Sequence, residues 1–164
     1  MKALPLWQPW ASLVAIGAKR VETRHWPAPD WLIGQRIAIH ATKTKDHLWL
    51  LEEHPFDVYL RTPELLPLGA VIATVVLDRC SEITEASAAE LEERSAHEFA
   101  FGNYAPGRFA WVLRDVAPVA PPLAFRGSQG IFEVPDHLLG LGTLIPGQLT
   151  VDEVLADVQA GGAL

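Results

Sequence analysis

The stretch GAVIATVVLDRC, residues 69–80, constrains the fold more than any other part of the chain. It is apolar, rich in β-branched side chains and introduced by a glycine, which predicts a strand. GRFAWVLRDV (107–116) is a second strong strand and follows the turn NYAPG. RIAIHA (36–41) alternates apolar and polar positions and predicts a third. KALPLW (2–7) reads as a short strand that Pro5 confines to an edge or a terminus. RVETR (20–24) alternates well enough for a half-exposed strand, PVAPPLAF (118–125) for an edge or extended segment, and IFEV (131–134) for a last short strand.

Helices are expected to be short. Pro9 opens PWASLVAI (9–16), with Leu13, Val14 and Ile16 on one face and Gly17 as a left-handed stop. KDHLWLLEEH (45–54) is amphipathic. Ser87 and Glu90 have capping-box spacing for a surface helix over 87–99, and Thr150 and Glu153 for a C-terminal one. HWPAPDWLIG (25–34) and RGSQG (126–130) read as loop and turn. With no regular βαβ rhythm, an α+β domain with a small mixed or closed sheet is expected. A length of 164 residues suits a single domain, with a core over about 2–135 and a helical appendage over 147–160.

Charge narrows the partners. The net charge is −7, against a protein that coats nucleic acid non-specifically. Residues 1–50 hold seven Lys/Arg and three Asp/Glu, or +4; residues 51–164 hold six and seventeen, or −11. A local cationic site for a small anionic or nucleotide-like ligand survives this count. No apolar run reaches the roughly 18 residues of a membrane helix. MKALPLWQPW does not resemble a signal peptide, and the single Cys80 allows no internal disulfide, so a cytoplasmic home is expected. Walker and Rossmann glycine patterns, a nucleophile elbow and HExxH are missing, and the histidines are scattered, so neither a cofactor nor a metal is expected.

The densest chemistry is GAKRVETR (17–24). On a period of two, Glu22 and Arg24 share a strand face, while Val21 and Thr23 take the other. Arg24 offers a planar fork for phosphate or a carbonyl edge, and Glu22 an acceptor for an amine. Lys19 beside cations and partly desolvated suits a base or nucleophile. An exposed ion-pair ladder has the same spacing. Trp7, Trp10, Trp26 and Trp31 flank the cluster, where aromatic faces can stack on bases or simply fill a core. His40, within IAIHATK, stands either in the core or at the rim of the site.

GAKRVETR fits the GxKxxExR signature of the ASCH (activating-signal-cointegrator homology) domain family, whose β-barrel is related to the PUA RNA-binding domain. LWQPWASLVAIG resembles the family's opening, and IHATK, GAVIATVVL, GRFAWVL and RGSQGIFEV resemble its later strands in order, over roughly residues 2–135. The resemblance implies a PUA-like, partly closed barrel and a cleft between the first helix and the barrel, suited to RNA or a nucleotide. Many members are thought to bind RNA. One branch resembles amidohydrolases of N4-acetylcytidine, and some members have been proposed as ribonucleases. The hydrolase branch carries GxKxxTxR and a glutamate from a later strand; here Glu22 stands at the threonine position and Asp78 is the strand's carboxylate.

The leading expectation is a binder of RNA or a modified nucleoside or nucleotide. Lys19 and Arg24 would meet phosphate or carbonyl, and Glu22 would orient Arg24 or read an amine. Trp10 or Trp26 would stack, His40 would line the site, and Ser128 or Gln129 would close the rim. Alternatives are a hydrolase of an acylated nucleoside or of RNA, worked by Lys19 and Glu22, and a protein-docking acidic face over residues 82–98.

Overall fold

The computed structural model describes residues 1–140. Its contacts divide the chain into a first unit, Met1–Val134, and a second that begins at Pro135. In the second, a 3-10 turn spans Asp136–Leu139 and Gly140 follows in the left-handed region. The helix expected over 147–160 lies outside the described residues.

The first unit is built on one six-stranded sheet in the order β2-β5-β4-β3-β1-β6. The strands are β1 (Lys2–Leu6), β2 (Val21–Arg24), β3 (Arg36–Ala41), β4 (Ala70–Glu82), β5 (Phe109–Ala124) and β6 (Phe132–Glu133). GAVIATVVLDRC forms most of β4, and its first eight strand residues are all buried, as its unbroken apolar run requires. Only β1 and β3 pair in parallel; every other pair is antiparallel. The register of β4 on β5 shifts at three places and that of β3 on β4 at one. Such bulges bend a sheet without closing it. The expected partly closed architecture therefore holds, with β2 and β6 left as edges.

Two strands depart from expectation for reasons of proline chemistry. β1 is not an edge, because it lies between β3 and β6. However, β6 pairs only with Lys2 and Ala3, so Pro5, which has no N–H, meets a partner only on the β3 side. GRFAWVLRDV and PVAPPLAF are one strand of 16 residues. β2 pairs with β5 only over Phe109–Val112, so Pro118, Pro121 and Pro122 fall where β4 is the sole neighbour.

The helices are α1 (Trp10–Ala15), α2 (Phe56–Tyr59), α3 (Glu85–Arg94) and α4 (Ala96–Ala100). KDHLWLLEEH yields only a 3-10 turn, Leu48–Glu52. The box that opens α3 sits three residues earlier than its sequence spacing suggests. Thr84 Oγ1 accepts from Ser87 N at 3.1 Å and Ser87 Oγ accepts from Thr84 N at 2.9 Å. The expected single helix over 87–99 breaks at Ser95, which is extended at φ −156° and caps α4. No described helix is long and apolar enough to cross a membrane.

α1 is a wedge between two apolar clusters. Val14 joins Leu4, Ile37, Ile39, Ile72, Leu77 and Trp111 against the sheet. Its neighbour Leu13 joins Leu51, Phe56, Leu60 and Phe101 on the other side. Gly17 ends the helix at φ +74°, with open space around the position a Cβ would take. Gly17→Ala should therefore cost backbone strain alone, about 1–2 kcal/mol in urea denaturation, with no change in fold.

Candidate functional site

The site starts at the end of α1. Ala18 N and Lys19 N both donate to Leu13 O, at 2.9 and 3.0 Å, which turns the Lys19 side chain inward. Lys19 is 1% exposed. Its Nζ donates to Val21 O at 2.6 Å and lies 3.7 Å from Glu98 Oε1. Burial pushes its pKa below the usual lysine value, against the opposing pull of Glu22 and Glu98. The sequence expectation of partial desolvation understates this burial.

Glu98 stands at the third position of α4, where its backbone N–H donates to Ser95 Oγ. Its carboxylate crosses to the start of β2. Oε2 accepts from Arg20 N at 2.6 Å, and Oε1 accepts from Val21 N at 3.3 Å and from Tyr104 Oη at 2.9 Å. Burial and the neighbouring Glu98 hold the Tyr104 phenol well above its usual range, so it stays a donor. A buried charge pair survives only when its remaining valences are largely filled; here Glu98 accepts three hydrogen bonds and Lys19 donates one besides its ion pair.

On β2, Glu22 and Arg24 share a face, as the period of two requires. Arg24 Nε lies 3.1 Å from Glu22 Oε1, an ion pair by distance, but its N–H does not point at the oxygen and finds no hydrogen bond. Arg24 Nη2 donates to Pro5 O at 2.8 Å, tying β2 to β1. Within the segment, Arg20 is exposed and Val21 and Arg24 are partly buried, as a half-exposed strand requires, but Glu22 and Thr23 are both buried. The cover comes from Glu98 and from the segment after α4. Thr23 Oγ1 accepts from Asn103 N, and Arg108 clamps the same segment by donating to Asn103 O at 3.1 Å and Thr23 O at 3.2 Å.

These elements enclose a cleft of about 410 Å³. Lys19, Glu22, Arg24 and Arg108 supply its charge, Asn103 an amide, and Trp7, Trp10, Phe56 and Phe101 much of its apolar wall. Trp7 is 50% exposed and stacks on His47, with ring centres 4.6 Å apart at 18°. Trp10 meets His47 edge-on at 5.1 Å and Phe56 at 6.5 Å.

Of the residues singled out from sequence, Lys19, Glu22, Arg24 and Trp10 come together here. Trp26, His40, Ser128 and Gln129 do not line the cleft. Trp26 is partly buried and packs edge-on against the core residue Trp111 at 4.7 Å. His40 is buried, with Nε2 2.9 Å from Phe125 O and Nδ1 unpartnered. Gly127 passes so close that a Cβ there would lie 2.5 Å from the His40 ring. Ser128 and Gln129 are exposed on the following turn.

Sequence reasoning missed Glu98, Asn103, Tyr104 and Arg108. The one readable signal was Ser95-x-x-Glu98, a capping-box spacing like those noted at Ser87 and Thr150. Within the acidic run 82–98, α3 buries nothing, whereas Glu98 is 6% exposed. Among the described residues, no three His, Cys, Asp or Glu gather as a metal site.

The Lys19–Glu98 pair is open to a double-mutant cycle. Lys19→Met or Glu98→Gln alone strands a buried partner and should cost about 3–5 kcal/mol in urea denaturation. The double variant should cost less than the sum of the two by at least about 1 kcal/mol. Strict additivity would show that the two side chains do not act as a pair.

Comparison with known proteins follows the same outline. The ASCH domain family model matches residues 4–122. No curated protein matches the chain. Among solved structures, the ASCH protein of Zymomonas mobilis superposes with a TM-score of 0.53 at 19% identity, covering 85% of this chain and 91% of that one. A tyrosine-to-phenylalanine variant of it gives 0.51 at 20% identity, covering 85% and 93%. A serine-to-alanine variant gives 0.52 at 20% identity, covering 85% and 91%. At such identity these structures speak for the fold alone. With Gly17, Lys19, Glu22 and Arg24 in place and the match spanning most of the chain, this protein belongs to the ASCH domain family.

Proposed function

We propose that the cleft binds a single unpaired nucleotide, free or presented by single-stranded RNA. The ASCH fold is consistent with RNA binding or a related function, and the cleft lies wholly within the first unit. One observation carries the reading: a cleft of about 410 Å³ places a carboxylate and two guanidinium groups against a Trp and Phe wall. That size falls in the range of small-ligand sites, roughly 300–1,000 Å³, and suits one nucleotide better than a duplex. Guanidinium and carboxylate groups are the polar partners of base edges and phosphates, and the aromatic wall supplies stacking. The overall charge of −7 favours a local site over a long backbone track. A reducing cytoplasm suits a chain whose single cysteine is unpaired.

Hydrolysis is not part of the proposal. Lys19 Nζ is sealed and occupied by Val21 O and Glu98. Asp78, the strand carboxylate, pairs instead with Arg79 and Arg114 and does not line the cleft. Glu98 already accepts three hydrogen bonds, pairs with Lys19 and does not line the cleft.

Arg24→Ala should weaken binding of nucleoside monophosphates at least tenfold, about 1.4 kcal/mol. The loss of its bond to Pro5 O and of its ion pair with Glu22 should lower stability by about 1.5–3 kcal/mol, without unfolding the domain. Calorimetric titration and thermal unfolding of the same samples check both. Unchanged affinity in a folded variant would overturn the reading.

A further inference from the structure

We infer that the cleft reads the Watson–Crick edge of an unpaired guanine, Glu22 taking its two adjacent N–H donors and Arg24 its O6. The inference rests on the nucleotide-binding reading above and names the base within it.

The first support is that the cations are already engaged. Lys19 is held by Val21 O and Glu98. Arg108 has spent Nε on Asn103 O and Nη2 on Thr23 O. Arg24 has spent Nη2 on Pro5 O, and Glu22 lies against its Nε. Lys19 is balanced by Glu98 and Arg24 by Glu22, leaving Arg108 as the one uncompensated charge among these five. A phosphate clamp needs free guanidinium forks, and this floor presents few.

The second support is Glu22 itself. It is nine-tenths buried and lines the cleft, yet among the described residues its carboxylate accepts no hydrogen bond. Its oxygens are paired in charge with Arg24 but are not among the sealed polar atoms, so they stay open to the cleft. An occupant that shuts them off from solvent must bring N–H groups. A phosphate there meets a like charge instead.

Arg24 completes the pattern. Its Nε is sealed from solvent, while its side chain is 26% exposed and Nη1 has no partner among the described residues. The floor therefore offers two acceptor oxygens with a donor beside them. Guanine presents N1–H and N2–H next to O6, the complement of that set. Adenine, cytosine and uracil each offer a single donor group on this edge, so none fills both carboxylate oxygens in this way. Trp10 forms the wall alongside the base, and the ribose and phosphate lie toward the mouth, where Trp7 is exposed.

The test is calorimetric titration of the whole protein with guanosine, GMP, AMP, CMP and UMP at low and high salt. A short single-stranded oligouridylate with and without one internal guanosine separates an RNA ligand from a free nucleotide. GMP should bind at least about tenfold more tightly than the other three nucleotides. Guanosine should follow closely behind GMP, with shallow salt dependence. Glu22→Gln replaces one acceptor with a donor and should abolish the preference in a variant that still folds, though less stable for the loss of the Arg24 ion pair. If that variant does not fold, the comparison on the unaltered protein decides alone. Either the guanosine-bearing oligomer or free GMP as the tighter ligand supports the proposal. Equal affinity for the four nucleotides would overturn it while leaving nucleotide binding intact, and GMP far tighter than guanosine with steep salt dependence would overturn it in favour of phosphate. Binding of none would end both readings.

Discussion

The buried pair of Lys19 and Glu98 is the interaction on which the rest of the cleft depends. Removing two charges from water is expensive, and their attraction offsets it only when the other valences are largely met. Here the lysine donates to a backbone carbonyl, and the glutamate accepts two backbone N–H groups and a phenol. Those two N–H groups belong to Arg20 and Val21, the residues that lead into β2. The pair therefore fixes where the strand begins, and through it where Glu22 and Arg24 point. The same carboxylate fastens α4, and the chain after α4 supplies Asn103 and Arg108 to the cleft rim.

α1 is the second constraint. A helix this short has little stability of its own and is held by packing on both sides. Val14 faces the sheet and Leu13 the small cluster of Leu51, Phe56 and Phe101, so the wedge keeps the two apart. The gap between them is the cleft. The Gly17 reversal then swings Lys19 under the helix, which ties the motif's glycine and lysine to one local geometry.

Much of this was legible in the sequence, though unevenly. Residues 69–80 and 107–116 were recognisable as strands because burial and β-branching act locally. GAKRVETR was recognisable as a site because its charges lie within eight residues. The burial of Glu22 and Thr23 was not legible, since their cover comes from residues 98–108, about eighty positions away. Glu98 looked like one more charge on a solvated helix, because nothing local distinguishes a glutamate facing water from one facing a distant strand. Trp10 and Trp26 showed the same aromatic signal, yet one lines the cleft and the other packs on Trp111. The prolines of β5 suggested an interrupted element, whereas pairing on one side only lets a single strand accommodate them.

The most direct test of the account is an amide chemical-shift map of the isotopically labelled protein with and without saturating nucleoside monophosphate. The account predicts changes concentrated on residues 5–10, 19–24 and 100–108, the segments that bound the cleft and surround Lys19 and Glu98. Changes centred on the 125–130 turn and His40, or on α3, would contradict it.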